Sequence, residues 1–103
     1  MGNPNEVWAR RLKEAREASA LSQRELGVRA GLDPSVASTR INRYELGIHK
    51  ADYPTSQRLA AVLQVPVAFL YADEDDLAKV ILKFGAMQKT QRMKILSLIE
   101  AEA

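Results

Sequence analysis

Ser22 and Glu25, three residues apart at the head of an apolar run, constrain this chain more than any other pair. They form a capping box, in which each side chain satisfies a backbone N–H of the other and fixes a helix start. Gly31 supplies the positive φ that stops this helix. Asp33 is positioned to cap a second helix, with Pro34 at its first helical position, where a missing N–H costs nothing. The spacing predicts two short helices joined by a corner of about three residues. The second helix runs from Pro34 to Leu46, with Ala37, Ile41 and Tyr44 on its buried face.

Two helices joined so tightly form a helix-turn-helix, which suits the major groove of DNA. The segment resembles the lambda-repressor-like (Xre-type) family of helix-turn-helix regulators, whose domain usually has five helices. The matching residues are Leu21-Ser22-Gln23, Glu25-Leu26, Ala30-Gly31-Leu32, Pro34-Ser35 and Ile41-Asn42-Arg43-Tyr44-Glu45-Leu46-Gly47. Pro54, Leu59-Ala60, Leu63, Val65-Pro66 and Phe69-Leu70-Tyr71 continue the likeness, which covers residues 5–71. One departure stands out: Gly31 to Gly47 is about four residues longer than the commonest family pattern, close to one helical turn. A whole extra turn of helix would keep Ala37, Ile41 and Tyr44 on one face and lengthen the exposed one.

At 103 residues the chain has the length for one domain and a short appendage, and no additional enzyme domain would fit. Cysteine is absent, which excludes disulfides, thiolate metal sites and cysteine catalysis and fits a cytoplasmic protein. No apolar run approaches a membrane span, and the start Met1-Gly2-Asn3-Pro4-Asn5 lacks the pattern of an export signal. The net charge of +2 is unevenly spread. Residues 1–50 carry nine Lys or Arg against six acids, and residues 51–103 carry six against seven. The basic half is the one that holds the motif, as counterion release from phosphate requires.

Along the chain, Asn3 or Asn5 can cap a first helix running to Ala20, with Val7, Trp8, Leu12 and Ala15 inward. Arg10, Arg11, Lys13, Glu14, Arg16 and Glu17 then face solvent. Trp8, alone within an apolar stripe, reads as core and not as a platform for a base. Gly47 to Tyr53 is a loop. Pro54 opens a fourth helix over Thr55 to Gln64, and Pro66 a short fifth through Leu70 or Tyr71. The expected architecture is all-α: a five-helix lambda-repressor-like domain (residues 1–72) and a C-terminal extension of two more helices (residues 73–103).

In the extension, Asp73-Glu74-Asp75-Asp76 complement a helix N-terminus. Their sequential spacing scatters the carboxylates and does not make a cation site. Leu77, Val80, Ile81 and Phe84 form an apolar stripe ending at Gly85. After a cap at Thr90, Met93, Ile95, Leu96, Leu98 and Ile99 form a second. These stripes exceed what a closed five-helix domain needs to cover, so Leu77, Val80, Ile81, Phe84, Leu96 and Ile99 are expected at a homodimer seam.

The resemblance implies that Gln23 meets a phosphate at the start of the first motif helix. Arg24 lies on the exposed side and adds a phosphate contact. On the second helix, Ser35, Val36, Ser38 and Thr39 are expected on the groove floor. Arg40, Asn42 and Arg43 reach bases or flanking phosphates, and Lys50 a phosphate. Glu45 repels phosphate and is expected to hold the helix end. With a single His, His49, and no Cys, neither a metal site nor another cofactor is expected. There is no nucleophile set, phosphate loop or carboxylate pair at enzyme spacing. The expected function is a transcriptional regulator, a repressor, that reads an inverted repeat in double-stranded DNA. The competing reading is an antitoxin, which neutralises a toxin through its tail and also represses its own operon.

Overall fold

Local side-chain hydrogen bonds start and stop the helices. Glu25 N donates to Ser22 Oγ and Ser22 N to Glu25 Oε1, both at 3.0 Å, which closes the capping box. These bonds, the one from the Ser22 backbone foremost, hold the Glu25 carboxyl below its ordinary pKa. At the other end Gly31, at φ +94°, donates to Val28 O while Leu32 donates to Gly27 O, the Schellman pattern. Asp52 caps a later helix by accepting from Thr55 N at 2.9 Å.

The computed structural model describes residues 6–102. Among them lie α1 (Glu6–Ala18), α2 (Gln23–Arg29), α3 (Ala37–Glu45), α4 (Tyr53–Leu63), a 3₁₀ segment (Val67–Tyr71), α5 (Asp75–Gly85) and α6 (Lys89–Glu102). The all-α class and the two helices beyond the five-element domain are as the sequence predicts. A cap at Asn3 or Asn5 lies outside the described residues.

Several boundaries differ from expectation. The second motif helix begins at Ala37 and not at Pro34, and ends at Glu45 with Leu46 as its cap. Asp33 Oδ1 accepts from Ser35 N at 2.8 Å and Ser35 Oγ at 2.7 Å, which spends the cap on a local turn. Val36 N then donates to Asp33 O, and Val36 itself, at φ −123° and ψ −2°, stands outside the helix. The residues in front of α3, from Asp33 to Val36, are therefore a turn, and not a first turn of helix. The first helix stops at Ala18 because Ala20 takes a left-handed φ of 57°, and α4 stops at Leu63 because Gln64 does the same. The fifth element winds as 3₁₀ and not α. Thr90 sits inside α6, where it caps nothing.

One core unites α1 to α5. Trp8, Leu12, Leu26, Ile41, Leu59, Phe69 and Leu70 are buried at its centre. Trp8 is structural, as expected: it meets Tyr44 edge to face at 5.7 Å, and its Nε1 donates to Ser56 Oγ at 3.2 Å. Tyr71 donates to the same hydroxyl at 3.0 Å. Ala78 is buried in this core and Ile81 and Leu82 pack against it, so α5 is partly an internal helix. Ile81, expected at a seam, is shared with the chain's own interior.

Two arginines expected in solvent are inside. Arg11 is 3% exposed, donating from Nε to Ala72 O at 2.8 Å and from Nη2 to Asp75 Oδ1 at 3.0 Å, with its guanidinium 5.7 Å from the Phe69 ring centre. Arg16 is half-buried and grips Glu45 of α3 through Nε at 2.6 Å and Nη2 at 3.1 Å. The Glu45 bond is the leading cause that raises the Arg16 pKa above its ordinary value, against the opposing effect of burial.

α6 is different. None of its residues is buried, and the chain's radius of gyration of 15.1 Å exceeds the ~13 Å of a compact domain this size. Its apolar residues do not make the single stripe expected, because 100° steps spread Met93, Leu96, Leu98 and Ile99 around the axis. Arg92 ties its first turns to α5, donating to Gly85 O at 2.8 Å and Met87 O at 3.1 Å and lying 5.1 Å from the Phe84 ring centre.

Two outcomes test this packing. A Cβ on Gly27 would stand 2.8 Å from the Ala37 Cβ and 3.0 Å from its carbonyl oxygen. Gly27→Val should therefore lower the stability measured by urea unfolding by about 3 kcal/mol, the upper end for overpacking, and a Val variant as stable as wild type would refute the α2–α3 contact. Glu45→Gln leaves the Arg16 guanidinium partly buried without its counter-charge. It should cost about 3 kcal/mol in the same assay, with Arg16→Met on the same background recovering part of the loss.

Candidate nucleic-acid interface

α3 buries Ala37, Ile41 and Tyr44 and turns the rest outward. With 100° between residues, the direction opposite that stripe passes through Thr39. Ser38 and Asn42 flank it on the side of α2, Arg40 and Arg43 on the other. Ser38, Thr39, Arg40, Asn42 and Arg43 are all exposed. The sequence thus presents hydroxyl, amide and guanidinium groups on one rigid helical face.

The α2 side is held by a chain of polar contacts that starts inside the protein. Arg16 grips Glu45; Gln23 Nε2 donates to Glu45 Oε1 at 3.1 Å and to Asn42 Oδ1 at 3.2 Å. Glu45 holds the helix end, as expected of it, and is nearly buried with a side-chain exposure of 3%. Gln23 and Asn42, both expected at DNA, are thereby fixed against each other before any ligand arrives. Arg24 is exposed on the first turn of α2 and stands apart from this chain.

On the other side a concavity of about 360 Å³ opens between α3 and the loop that follows it, lined by Val36, Thr39, Arg40, Arg43, Tyr44, His49 and Lys50. Five of the residues expected at DNA meet here. Four lining side chains are basic or imidazole and none is acidic, so the concavity concentrates positive potential where an oxyanion can reach it. The loop is folded by Gly47, at φ +73°, with Ile48 N donating to Arg43 O at 3.0 Å and His49 N to the same oxygen at 3.4 Å. That turn brings His49 and Lys50 back alongside α3.

Ser35 is not on the helix. Its N–H and hydroxyl both serve Asp33, whose carboxyl they hold below its ordinary pKa, the hydroxyl bond contributing most. Ser35 and Val36 lie exposed on the turn in front of α3, Val36 among the residues that line the concavity and Ser35 not. His49, which the sequence sets beside Lys50 in the loop after this helix, joins it in the concavity, because the Gly47 turn returns the chain toward α3. Arg11 was signalled in the sequence, because positions 8, 11, 12 and 15 share one helical stripe. Among the described residues no group of three or more His, Cys, Asp or Glu could hold a metal ion, and no helix is long and apolar enough to cross a membrane.

No curated protein matches this chain. Among solved structures it is similar to the transcriptional regulator BswR, at 42% sequence identity and a TM-score of 0.85, over 90% of this chain and 92% of that one. Residues 12–70, from α1 through the 3₁₀ segment and therefore including the whole of the α2–α3 pair and the basic concavity, match the Helix-turn-helix family. The capped α2, the turn, the polar α3 and this match over more than half the sequence place the chain in the lambda-repressor-like (Xre) helix-turn-helix family of DNA-binding regulators.

Proposed function

We propose that this protein is a sequence-specific regulator of transcription that inserts α3 into the major groove of double-stranded DNA. The observation that carries the reading is the division of the α3 surface, hydrogen-bonding groups facing straight out and an acid-free basic concavity along one flank. Thr39, Ser38 and Asn42 suit base edges, with Val36 in reach of a thymine methyl. Arg40, Arg43, His49 and Lys50 suit the phosphates of the strand that borders the groove, and Arg24 those on the far side. Ser35, engaged with Asp33, shapes the turn in front of them. Such a regulator acts as a repressor in the cytoplasm by occupancy alone, which asks for no activity beyond binding.

The tail supports a homodimer. Leu77, Val80, Leu96 and Ile99 of the expected seam are exposed, and so are Met93 and Leu98 beside them. A 14-residue helix with nothing buried is marginal in water by itself, since a lone helix of that length barely offsets its nucleation cost. A second copy covers α6 and offsets that cost. Two-fold pairing then presents two α3 helices whose half-sites lie about one DNA turn, ~34 Å, apart.

Selection from random duplexes at fixed salt should return one preferred sequence, bound about 10³-fold or more tighter than scrambled DNA. Arg24→Ala and Lys50→Ala should weaken all sequences and lower the salt slope by about one unit each, whereas Ser38→Ala and Thr39→Ala should change the preferred bases. An Arg24→Ala protein with altered base preference and an intact salt slope would reverse the proposed docking.

For the tail, Leu96→Lys with Ile99→Lys should give a folded monomer by light scattering. Its affinity for a two-half-site duplex should fall about 100-fold, the loss of linkage between sites. Ile81 and Phe84 are unsuited to this test, because one packs on the core and the other carries Arg92. A wild-type chain that is monomeric at high micromolar concentration, or a selected site without inverted symmetry, would remove the dimer and assign the tail to another protein, as in an antitoxin.

A further inference from the structure

α5 leans on the 3₁₀ segment, and between it and the second half of α1 lies a groove of about 510 Å³, away from the α3 face. Ala15, Leu63, Val65, Phe69 and Leu82 give it an apolar lining. Its polar end combines Arg10, Arg11 and Lys79 with the carboxylates of Glu14 and Asp75. Lys79 has no ionic partner among the described residues, while Arg10 and Arg11 both lean on Asp75 at 3.3 and 3.0 Å.

The groove has the size of a small-molecule site, and an apolar lining with a few charged groups at one end is the usual composition of such sites. The buried cation decides the ligand class. Arg11 is shielded from water, yet both acids that neutralise it are far more exposed than it is: Glu14 at 3.4 Å from Nη1, and Asp75, the first residue of α5 and 83% exposed, at 3.0 Å from Nη2. A buried guanidinium needs an anion. Nothing in the packing around Asp75 requires that the anion come from this chain.

We propose that the groove binds a small amphiphilic carboxylate, its hydrocarbon part along Leu63, Val65, Phe69 and Leu82 and its carboxylate on Arg10, Arg11 and Lys79 in exchange for Asp75. Binding would free the first turn of α5 from α1 and wedge the two helices apart, so the ligand would act on the tail and not on α3. The inference stands independently of the DNA sequence the protein reads.

The test is an NMR titration of the full chain with decanoate below its micellar concentration, with decanol as the head-group control. Decanoate should shift the amides of Ala15, Ala18, Val65 and Leu82 saturably, and decanol should bind about tenfold more weakly or worse, as expected for loss of a charge-assisted hydrogen bond. Lys79→Glu, at an exposed position, should weaken decanoate about tenfold by the same reasoning. Asp75→Asn should tighten it, because Arg10 and Arg11 then keep only Glu14 as an internal anion. Shifts confined to the exposed apolar residues of α6, decanol equal to decanoate, or an Asp75→Asn affinity no tighter than wild type would each overturn the proposal. Groove shifts that follow protein dilution and not ligand would overturn it as well, and would give the groove to a second copy.

Discussion

The Arg16–Glu45 pair is the contact on which the geometry of this protein turns. It joins α1 to the end of α3 through a two-point grip, and Glu45 passes the constraint on through Gln23 to Asn42. An exposed salt bridge would add little to stability. Here the carboxylate is nearly buried and the guanidinium half-buried, so losing either partner strands a charge, and the pair acts mainly by forbidding alternatives. Arg16 also donates to Leu21 O at 2.9 Å, which ties the chain entering α2 to the same centre. The two helices that meet DNA in the proposed reading, α2 and α3, are thereby set by one guanidinium that has no contact with it in that reading. Rigidity of this kind keeps a reading face within the tolerance that base recognition demands.

What was legible in the sequence were the features set by local chemistry. Ser22, Glu25 and Gly31 bound α2, and the Ala37-Ile41-Tyr44 stripe fixed which way α3 faces. These signals act over one or two turns and need no knowledge of the rest of the chain. The start of α3 was misjudged because Asp33 has two uses of similar energy. Its carboxylate can cap a helix or close a turn on Ser35, and the Ser35 hydroxyl adds a second bond that favours the turn. Arg11 and Arg16 were misplaced because a charged residue reads as exposed unless its partners are known. Those partners, Ala72, Asp75 and Glu45, lie far along the chain. The apolar surface of α6 is too wide for the stripe the sequence suggests, since counting apolar residues in a window hides their angles.

The two tail helices do different things, which their composition conceals. α5 buries Ala78 and packs Ile81 and Leu82 on the core, so it belongs to the body as much as to the extension. α6 buries nothing and is held through Arg92, which spans from the end of α5 to the first turns of α6. A helix anchored at one end and apolar on several sides fits association with more than one face of a neighbour, and less well the narrow seam of a two-stranded coiled coil. In the proposed dimer stability and assembly would be coupled: the population of folded α6 would rise with protein concentration, because the second copy would supply the contacts a lone helix lacks.

The same economy governs the charges. Acids and bases intermix along α1, where Arg10, Glu14 and Asp75 neutralise one another at the surface. At α3 they separate, and the one acid on that helix, Glu45, is turned inward onto Arg16. The outward face is left with Arg40 and Arg43, and the Gly47 turn adds His49 and Lys50 to them. A modest net charge of +2 therefore understates the field at the outward face of α3. Its sign there comes from where the fold hides its negative charge, more than from how much positive charge the sequence carries.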